Sequence, residues 1–182
     1  EYGVLYHCPI PCSLDGANNG LQHYSAASLD EDDGAEVNLT PSDAPRDIYQ
    51  KVADMVNQVV SLVASDASHE HQPQALAYGI TRKVCKRNTM TYAYSSVVHG
   101  MGDQLIEDIM TPLSKLVLLK KIDQHPFGFG HTAIRAARFL AKINMDCIRA
   151  VVTSAQSGME FLRSAAGALA HEGKPVRWTT PI

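Results

Sequence analysis

Two cations, a methionine and a tyrosine recur at intervals of four residues near the middle of the chain: Arg82, Lys86, Met90 and Tyr94. In an α-helix this spacing places the side chains on one slowly drifting face. Lys83 and Arg87 lie one position further round. The pattern predicts a helix over about residues 79–94 that carries a stripe of positive charge and ends in an aromatic ring.

The cations lie near the N-terminal end of the predicted helix, which favours an anionic ligand on this face. Lysine and arginine in the first half of a helix face the unfavourable end of its dipole, so helix stability alone does not select them there. A polyphosphate along this face would receive charge-assisted hydrogen bonds, and Tyr94 would contact the group that carries the phosphates. A solvated surface helix is the alternative interpretation of the same basic run.

A second candidate is the Asp15-Gly16 pair, which follows a short segment with the character of an extended strand. A carboxylate at a strand end can bind a hard cation such as Mg²⁺, while glycine keeps the neighbouring backbone accessible to phosphate oxygens. An Asp-Gly pair is also an ordinary turn-forming sequence. The residues themselves leave both readings open.

The rest of the sequence predicts an α+β fold that is mainly helical. Apolar periodicity and capping residues predict helices in six segments: 21–28, from a cap at Ser42 or Asp43 to about 63, 79–94, 103–119 with an interruption at Pro112, 132–150 and 154–171. Short strands are expected within 4–14, 34–38 and 176–179, and an acidic loop within 30–36. Residues 69–73 are expected to be a polar connector.

Composition limits the classes of protein that need to be considered. The 182 residues are 45% hydrophobic and 19% charged, with 16 basic and 19 acidic side chains. These values are typical of a folded globular chain, and no apolar run approaches the length that spans a bilayer. Four scattered cysteines favour free thiols in a reducing compartment. The first residue is Glu1, which suggests a fragment of a longer protein.

Two further motifs are weaker. The first is a set of four potential zinc ligands whose spacing does not fit a zinc knuckle: His7, Cys8, Cys12 and His23. The second is the run from Gly128 to Ala133, which fits the loose pattern G-x-G-x-x-A and precedes a helix. This run allows a nicotinamide-binding domain as an alternative, although no clear strand leads into it.

Four blocks of sequence together resemble the single-subunit DNA-directed RNA polymerases of bacteriophages, mitochondria and chloroplasts. They are DGANNGLQHYSA at 15–26, AEVNLTPSDAPRDIYQKVA at 35–53, GITRKVCKRNTMTYAYSS at 79–96 and KPVRWTTP at 174–181. The blocks occur in the order that the family shows and extend over most of the chain.

The resemblance implies a right-hand polymerase fold. Residues 1–43 would form part of the palm, with a strand-turn segment that carries motif A, and residues 44–182 would form helical fingers. The helix at 79–94 would be motif B. The implied reaction is template-dependent RNA synthesis from ribonucleoside triphosphates by a two-metal mechanism, with DNA template and nascent RNA as partners. The intact enzyme would be monomeric and would not require a membrane.

The same resemblance assigns roles to individual residues. Asp15 and Gly16 would bind Mg²⁺, and Asp15 would be catalytic. The nucleotide-binding residues would be Arg82, Lys86, Arg87, Met90 and Tyr94. Lys86 would also donate a proton to the departing pyrophosphate, and Tyr94 would help to select ribose over deoxyribose.

The chain departs from the family pattern at three points. Ala17-Asn18 replace the commoner Ser-Cys, Ser95 stands where a glycine usually follows the tyrosine, and no His-Asp pair of the kind that supplies the second metal-binding aspartate occurs in the sequence. That aspartate is therefore expected outside this chain, and the isolated fragment is expected to be inactive. Host cytoplasm is the expected location for a phage enzyme, and the mitochondrion is the alternative. A non-enzymatic module that binds anions or nucleic acid through residues 82–87 remains the alternative function.

Overall fold

The computed structural model describes residues 9–11, 16–62 and 71–179, and all the regular structure within them is helical. The helices are α1 (Asn19–Ser28), α2 (Glu31–Glu36), α3 (Ile48–Leu62), α4 (Gln72–Tyr78), α5 (Arg82–Tyr92), α6 (Val98–Leu105), α7 (Thr111–Leu118), α8 (His131–Val151) and α9 (Thr153–His171). A π-helical turn (Ile106–Met110) joins α6 to α7. The expectation of a mainly helical fold is confirmed.

The strands predicted within the described residues are wrong. Residues 34–36 belong to α2, and residues 176–179 are coil. The acidic segment forms a helix because the Asp30 carboxylate accepts a hydrogen bond from the Asp33 N–H at 3.0 Å, and three acidic side chains occupy the first turn, where the helix dipole favours them. Most of the extended segment predicted at 4–14 lies outside the described residues.

The predicted connector at 69–73 also differs from the structure. Gln72 and Pro73 begin α4, since proline fits the first turn of a helix, where no intrahelical N–H bond is required. The Gln72 side-chain amide donates to the Val60 carbonyl at 3.0 Å and joins α4 to the end of α3.

The interruption predicted at Pro112 is confirmed in a modified form. Pro112 has no N–H to donate to the carbonyl of Asp108, four residues earlier, so the α-helical hydrogen-bond pattern cannot continue at this point. The chain passes through the π-helical turn instead and resumes as α7.

Helix α8 is the centre of the core and packs against α3, α5 and α6. Alanine accounts for four of its eleven buried residues: Ala133, Ala136, Ala137 and Ala141. Helix α9 packs on α1, and α2 joins this pair because the Ser154 backbone N–H and hydroxyl both donate to the Asp33 carboxylate, at 2.8 and 2.6 Å. None of the described helices combines the length and the apolar character needed to cross a membrane.

Candidate functional site

The orientation of α5 is fixed by buried polar side chains on its inner face. The Asn88 amide donates to the Gln104 side-chain oxygen at 2.8 Å and accepts from the Asn144 amide at 2.8 Å. Both asparagines are almost completely buried. Rotating α5 would leave these groups without partners in an apolar core, which is costly. The basic stripe is thereby held on the opposite, solvent-facing side.

The residues that follow Asp15-Gly16 are bound to this helix. Asn18 accepts from the Leu21 N–H at the start of α1, and its amide donates to the Thr89 carbonyl of α5 at 3.4 Å. The hydroxyl of Tyr94 donates to Asn19 Oδ1 at 2.7 Å. The start of α1 and the end of α5 are therefore joined at two points.

Tyr49, from the first turn of α3, lies beneath the basic stripe. Its ring centroid is 4.9 Å from Arg82 Cζ and 6.0 Å from Lys86 Nζ, within the range of cation–π attraction. Its hydroxyl donates to the Ala17 carbonyl at 3.1 Å. Tyr49 thus connects the segment after Asp15-Gly16 to both cations.

These elements enclose a cleft of about 360 Å³. Its lining residues come from the segment after Asp15, the start of α1, α3, α5 and the turn that follows α5: Gly16, Ala17, Asn18, Asn19, Tyr49, Arg82, Lys86, Met90, Thr91 and Tyr94. Five residues that the sequence singled out, Gly16, Arg82, Lys86, Met90 and Tyr94, therefore meet in one place. Asp15 lies outside the described residues.

The three cations predicted to bind phosphate have different partners. Arg82 is paired with Asp47 at 2.5 Å, and although partial burial opposes it, the hydrogen bond from Arg82 and two backbone N–H groups keep the pKa of Asp47 below its usual value. Arg87 is paired with Glu107 and Asp108, each at 2.8 Å. Among the described residues, no carboxylate pairs with Lys86.

Arg87 lies away from the cleft. Its guanidinium borders a separate groove of about 690 Å³ between α5 and the π-helical turn, opposite Glu107 and Asp108. Lys86 and Met90 border both the groove and the cleft. Hydrogen bonds to the two carboxylates raise the pKa of Arg87 above its already high value.

The end of α5 places Tyr94 just outside the helix rather than on a fourth helical turn. The Ser95 N–H donates to the Tyr92 carbonyl at 2.9 Å and the Ser96 N–H to the Thr91 carbonyl at 3.3 Å, with Ser95 at a φ of 64°. This hydrogen-bond pattern closes helices through a left-handed residue, a conformation that glycine adopts most readily. The serine at this position therefore keeps the turn, and the side chain of Tyr94 is 67% exposed.

Sequence reasoning missed Asn19 and Tyr49 as cleft residues. The sequence around Tyr49 predicts a helix and nothing about a binding site, whereas the position of Asn19 shortly after the Asp-Gly pair could have marked it as a candidate.

The structure gives no support to the two weaker motifs. Only His23 of the zinc candidates is described, and the described residues contain no cluster of three histidine, cysteine or acidic side chains arranged for a metal. The glycines at 128 and 130 follow a loop rather than a strand.

Comparison with known proteins identifies the family. The sequence profile described as DNA-dependent RNA polymerase matches residues 3–182. The DNA-directed RNA polymerase of Enterobacteria phage T3 and the T7 RNA polymerase of Escherichia phage T7 are each 32% identical, with all of this chain aligned. The mitochondrial DNA-directed RNA polymerase of Mus musculus is 32% identical over 98% of the chain.

The chain belongs to the DNA-dependent RNA polymerase family. It spans about a quarter of the length of the phage relatives (24%) and 14% of the mouse relative. The relatives include both phage and mitochondrial enzymes, so they do not separate the two expected origins.

Proposed function

We propose that this chain forms one side of the nucleotide-binding site of a DNA-directed RNA polymerase, and that the nucleotide binds in the cleft between α1, α3 and α5. The observation that carries the proposal is the position of Lys86. It is a cation without a carboxylate partner among the described residues, and it shares a cleft with Tyr94 and with Gly16. Family membership supports the reaction class.

In the proposed reaction, an RNA 3′-hydroxyl attacks the α-phosphorus of a ribonucleoside triphosphate. A new O–P bond forms as the 3′-hydroxyl loses its proton to water, and the bond to the bridging oxygen breaks to release pyrophosphate. Lys86 binds the phosphates and gives its proton to the departing pyrophosphate, while Arg82 adds positive charge beside it. Met90 borders the nucleotide between the phosphates and the sugar, and Tyr94 lies near the sugar.

Whether Arg87 binds the nucleotide in this proposal depends on its two salt bridges. Its guanidinium is held by Glu107 and Asp108 across the groove, away from the cleft. Arg87 reaches a triphosphate only if it leaves these two carboxylates. We therefore place Arg87 at the outer edge of the nucleotide site.

Mg²⁺ belongs to the proposal through Asp15 and the backbone of Gly16. When bound, the metal would neutralise phosphate charge and activate the attacking hydroxyl. Gly16 borders the cleft, which is compatible with a metal beside the phosphates. The family resemblance adds a second metal-binding aspartate in a His-Asp pair, and since the sequence has no such pair, we place that aspartate outside this chain. In the intact enzyme, Asp15→Asn should abolish extension and leave template binding largely in place.

The wider assignments are proposals of the same kind. Residues 1–43 are assigned to the palm and 44–182 to the fingers, and DNA template and nascent RNA are the expected partners of a monomeric enzyme. A phage-encoded enzyme in the host cytoplasm remains our preferred origin, with the mitochondrion as the alternative.

The test is extension of a primed RNA on a DNA template with added Mg²⁺. The complete polymerase that contains this chain should extend the primer, and the isolated 182-residue chain should not. Failure of the complete protein to extend RNA would contradict the proposal and favour a non-enzymatic module that binds anions or nucleic acid through residues 82–87. Extension by the isolated chain would show that a second metal-binding aspartate from outside is not required.

A further inference from the structure

The hydroxyl group of Tyr94 has a defined polarity in this structure. A tyrosine hydroxyl has one proton to donate and two lone pairs that accept. The proton of Tyr94 is directed to Asn19 Oδ1, with 2.7 Å between the two oxygens. The lone pairs are therefore what the hydroxyl can offer to a ligand in the cleft.

Asn19 is well placed to fix this polarity because the backbone around it is held. The preceding Asn18 is buried, and its side chain binds both α1 and the Thr89 carbonyl of α5. The following Gly20 allows close contact, since a Cβ atom there would lie 2.6 Å from Ala93 Cβ. The Asn19 carbonyl oxygen is thus presented to Tyr94 from a fixed start of α1.

We infer that Asn19 is a positioning residue for sugar selection, which makes the Tyr94 hydroxyl an acceptor that favours a hydrogen-bond donor at the 2′ position of the nucleotide. This inference rests on the proposed function. A ribose 2′-hydroxyl donates to the tyrosine oxygen, and the tyrosine proton remains on Asn19. Hydrogen bonds in such a chain polarise and strengthen one another.

The inference predicts selection by donor capacity rather than by size. A 2′-amino group can donate, so it should be accepted better than a 2′-fluoro group, which cannot. A 2′-deoxynucleotide offers neither donor nor acceptor and should be disfavoured. Without Asn19, the tyrosine proton is released and can point into the cleft, so the distinction between donor and acceptor substituents should weaken.

The experiment measures single-nucleotide incorporation by the complete polymerase on a primed template. The substrates are one ribonucleoside triphosphate and its 2′-deoxy, 2′-amino and 2′-fluoro analogues, at a pH at which the amino group is neutral. The enzymes are the parent, Tyr94→Phe, Asn19→Ala, Asn19→Asp and the Asn19→Ala/Tyr94→Phe double variant. His23→Ala, an exposed change on the same helix, is the matched control.

We expect the parent to prefer 2′-amino over 2′-fluoro. Asn19→Ala should lower the ribo-to-deoxy preference by roughly 3- to 10-fold, the range expected for one hydrogen bond, and this ratio rather than ribonucleotide turnover is the readout. Asn19→Asp keeps the acceptor oxygen and should keep the preference. The double variant should match Tyr94→Phe alone, because both changes disable the same hydroxyl.

The outcomes separate this inference from the proposed function. If the parent incorporates no nucleotide, the proposed function fails. If the parent incorporates nucleotides but treats 2′-amino and 2′-fluoro alike, or if Asn19→Ala keeps the parent preference while Tyr94→Phe loses it, the inference about Asn19 is overturned and the polymerase function stands.

Discussion

Lys86 holds its ammonium nitrogen 6.0 Å from the centroid of the Tyr49 ring, across the face of α5 that the cleft exposes. The two residues are 37 positions apart in the chain, and only the packing of α3 against α5 brings them together. Cation–π attraction at a partly exposed site is worth about 0.5–1 kcal/mol. The ring therefore favours one position of the Lys86 ammonium group and leaves its positive charge available to a ligand. A carboxylate partner would instead neutralise that charge.

This relationship can be tested by changing Tyr49. Tyr49→Leu removes the aromatic face and should raise the KM for the incoming nucleoside triphosphate about two- to fivefold, the factor that corresponds to the loss of one cation–π contact. Tyr49→Phe keeps the face and removes only the hydroxyl that donates to the Ala17 carbonyl. Its KM should stay near the parent value. Equal KM values in the two variants would show that the ring face does not contribute.

Replacing Lys86 itself should have a larger effect. Lys86→Ala should lower turnover by roughly 10²- to 10⁴-fold, the usual contribution of general acid–base catalysis, with further loss of triphosphate affinity. Lys83→Ala is the matched control, because Lys83 is exposed on the same helix and does not border the cleft. Single-turnover incorporation rates, measured over a range of triphosphate concentrations, give the turnover and the affinity of each variant. Parent-like turnover in Lys86→Ala would mean that the basic stripe is a solvated surface.

The basic stripe shows what the sequence could predict. Spacing alone placed Arg82, Lys86 and Met90 on one face, and the structure confirms it because Val84 and Cys85 are buried on the other side. Which residues share a helix face depends only on their spacing in the chain, so it can be predicted without knowing how the helices pack.

The other cleft residues could not be predicted in this way. Tyr49 is 33 positions from its partner Arg82, and Asn19 is 75 positions from its partner Tyr94. Local sequence patterns do not indicate which helices pack against each other. Helix α2 was missed for a related reason. Its sequence lacks apolar periodicity, and its buried contact, from Asp33 to Ser154, crosses 121 positions.

The left-handed conformation of Ser95 gives a prediction about stability. Ser95→Gly should stabilise the end of α5 by about 1 kcal/mol, because glycine adopts a φ of 64° without the steric cost that a Cβ atom adds. Ser96→Gly is the control, since Ser96 has no positive φ and should lose stability instead. Heat-inactivation half-lives of the complete polymerase compare the variants. A shorter half-life for Ser95→Gly would indicate that the serine side chain matters more than the backbone strain.

Two buried thiols give a pH prediction. Burial, and then the neighbouring Cys147, raise the pKa of Cys85 from 9.0 to about 12, and burial raises that of Cys147 to about 11. Alkylation of Cys85 in the native protein should therefore rise with pH well past 9, whereas the denatured thiol should level off near its ordinary pKa. Peptide mass spectrometry after brief iodoacetamide treatment measures both. A native plateau near pH 9 would contradict the prediction.

The same shifts set the sign of a stability effect. The folded state keeps each thiol protonated at a pH where the unfolded chain ionises. The thiols therefore leave the free energy of unfolding unaffected well below pH 9, and they lower it as pH rises from about 9 towards their folded values. Cys85→Ala should flatten this alkaline decline.

The π-helical turn between α6 and α7 holds one residue more than an α-helical turn would, because its hydrogen bonds span five residues instead of four. Each residue of an α-helix turns the chain by about 100°. Because the wider turn absorbs its extra residue within about one rotation, deleting one residue from Ile106–Met110 should leave an unbroken helix whose faces beyond Thr111 keep nearly the same direction relative to α6. The same deletion within the regular part of α6 would instead rotate α7 by about 100°. The π-helical turn is thus the place where this helix can lose a residue without changing the surface that α7 presents.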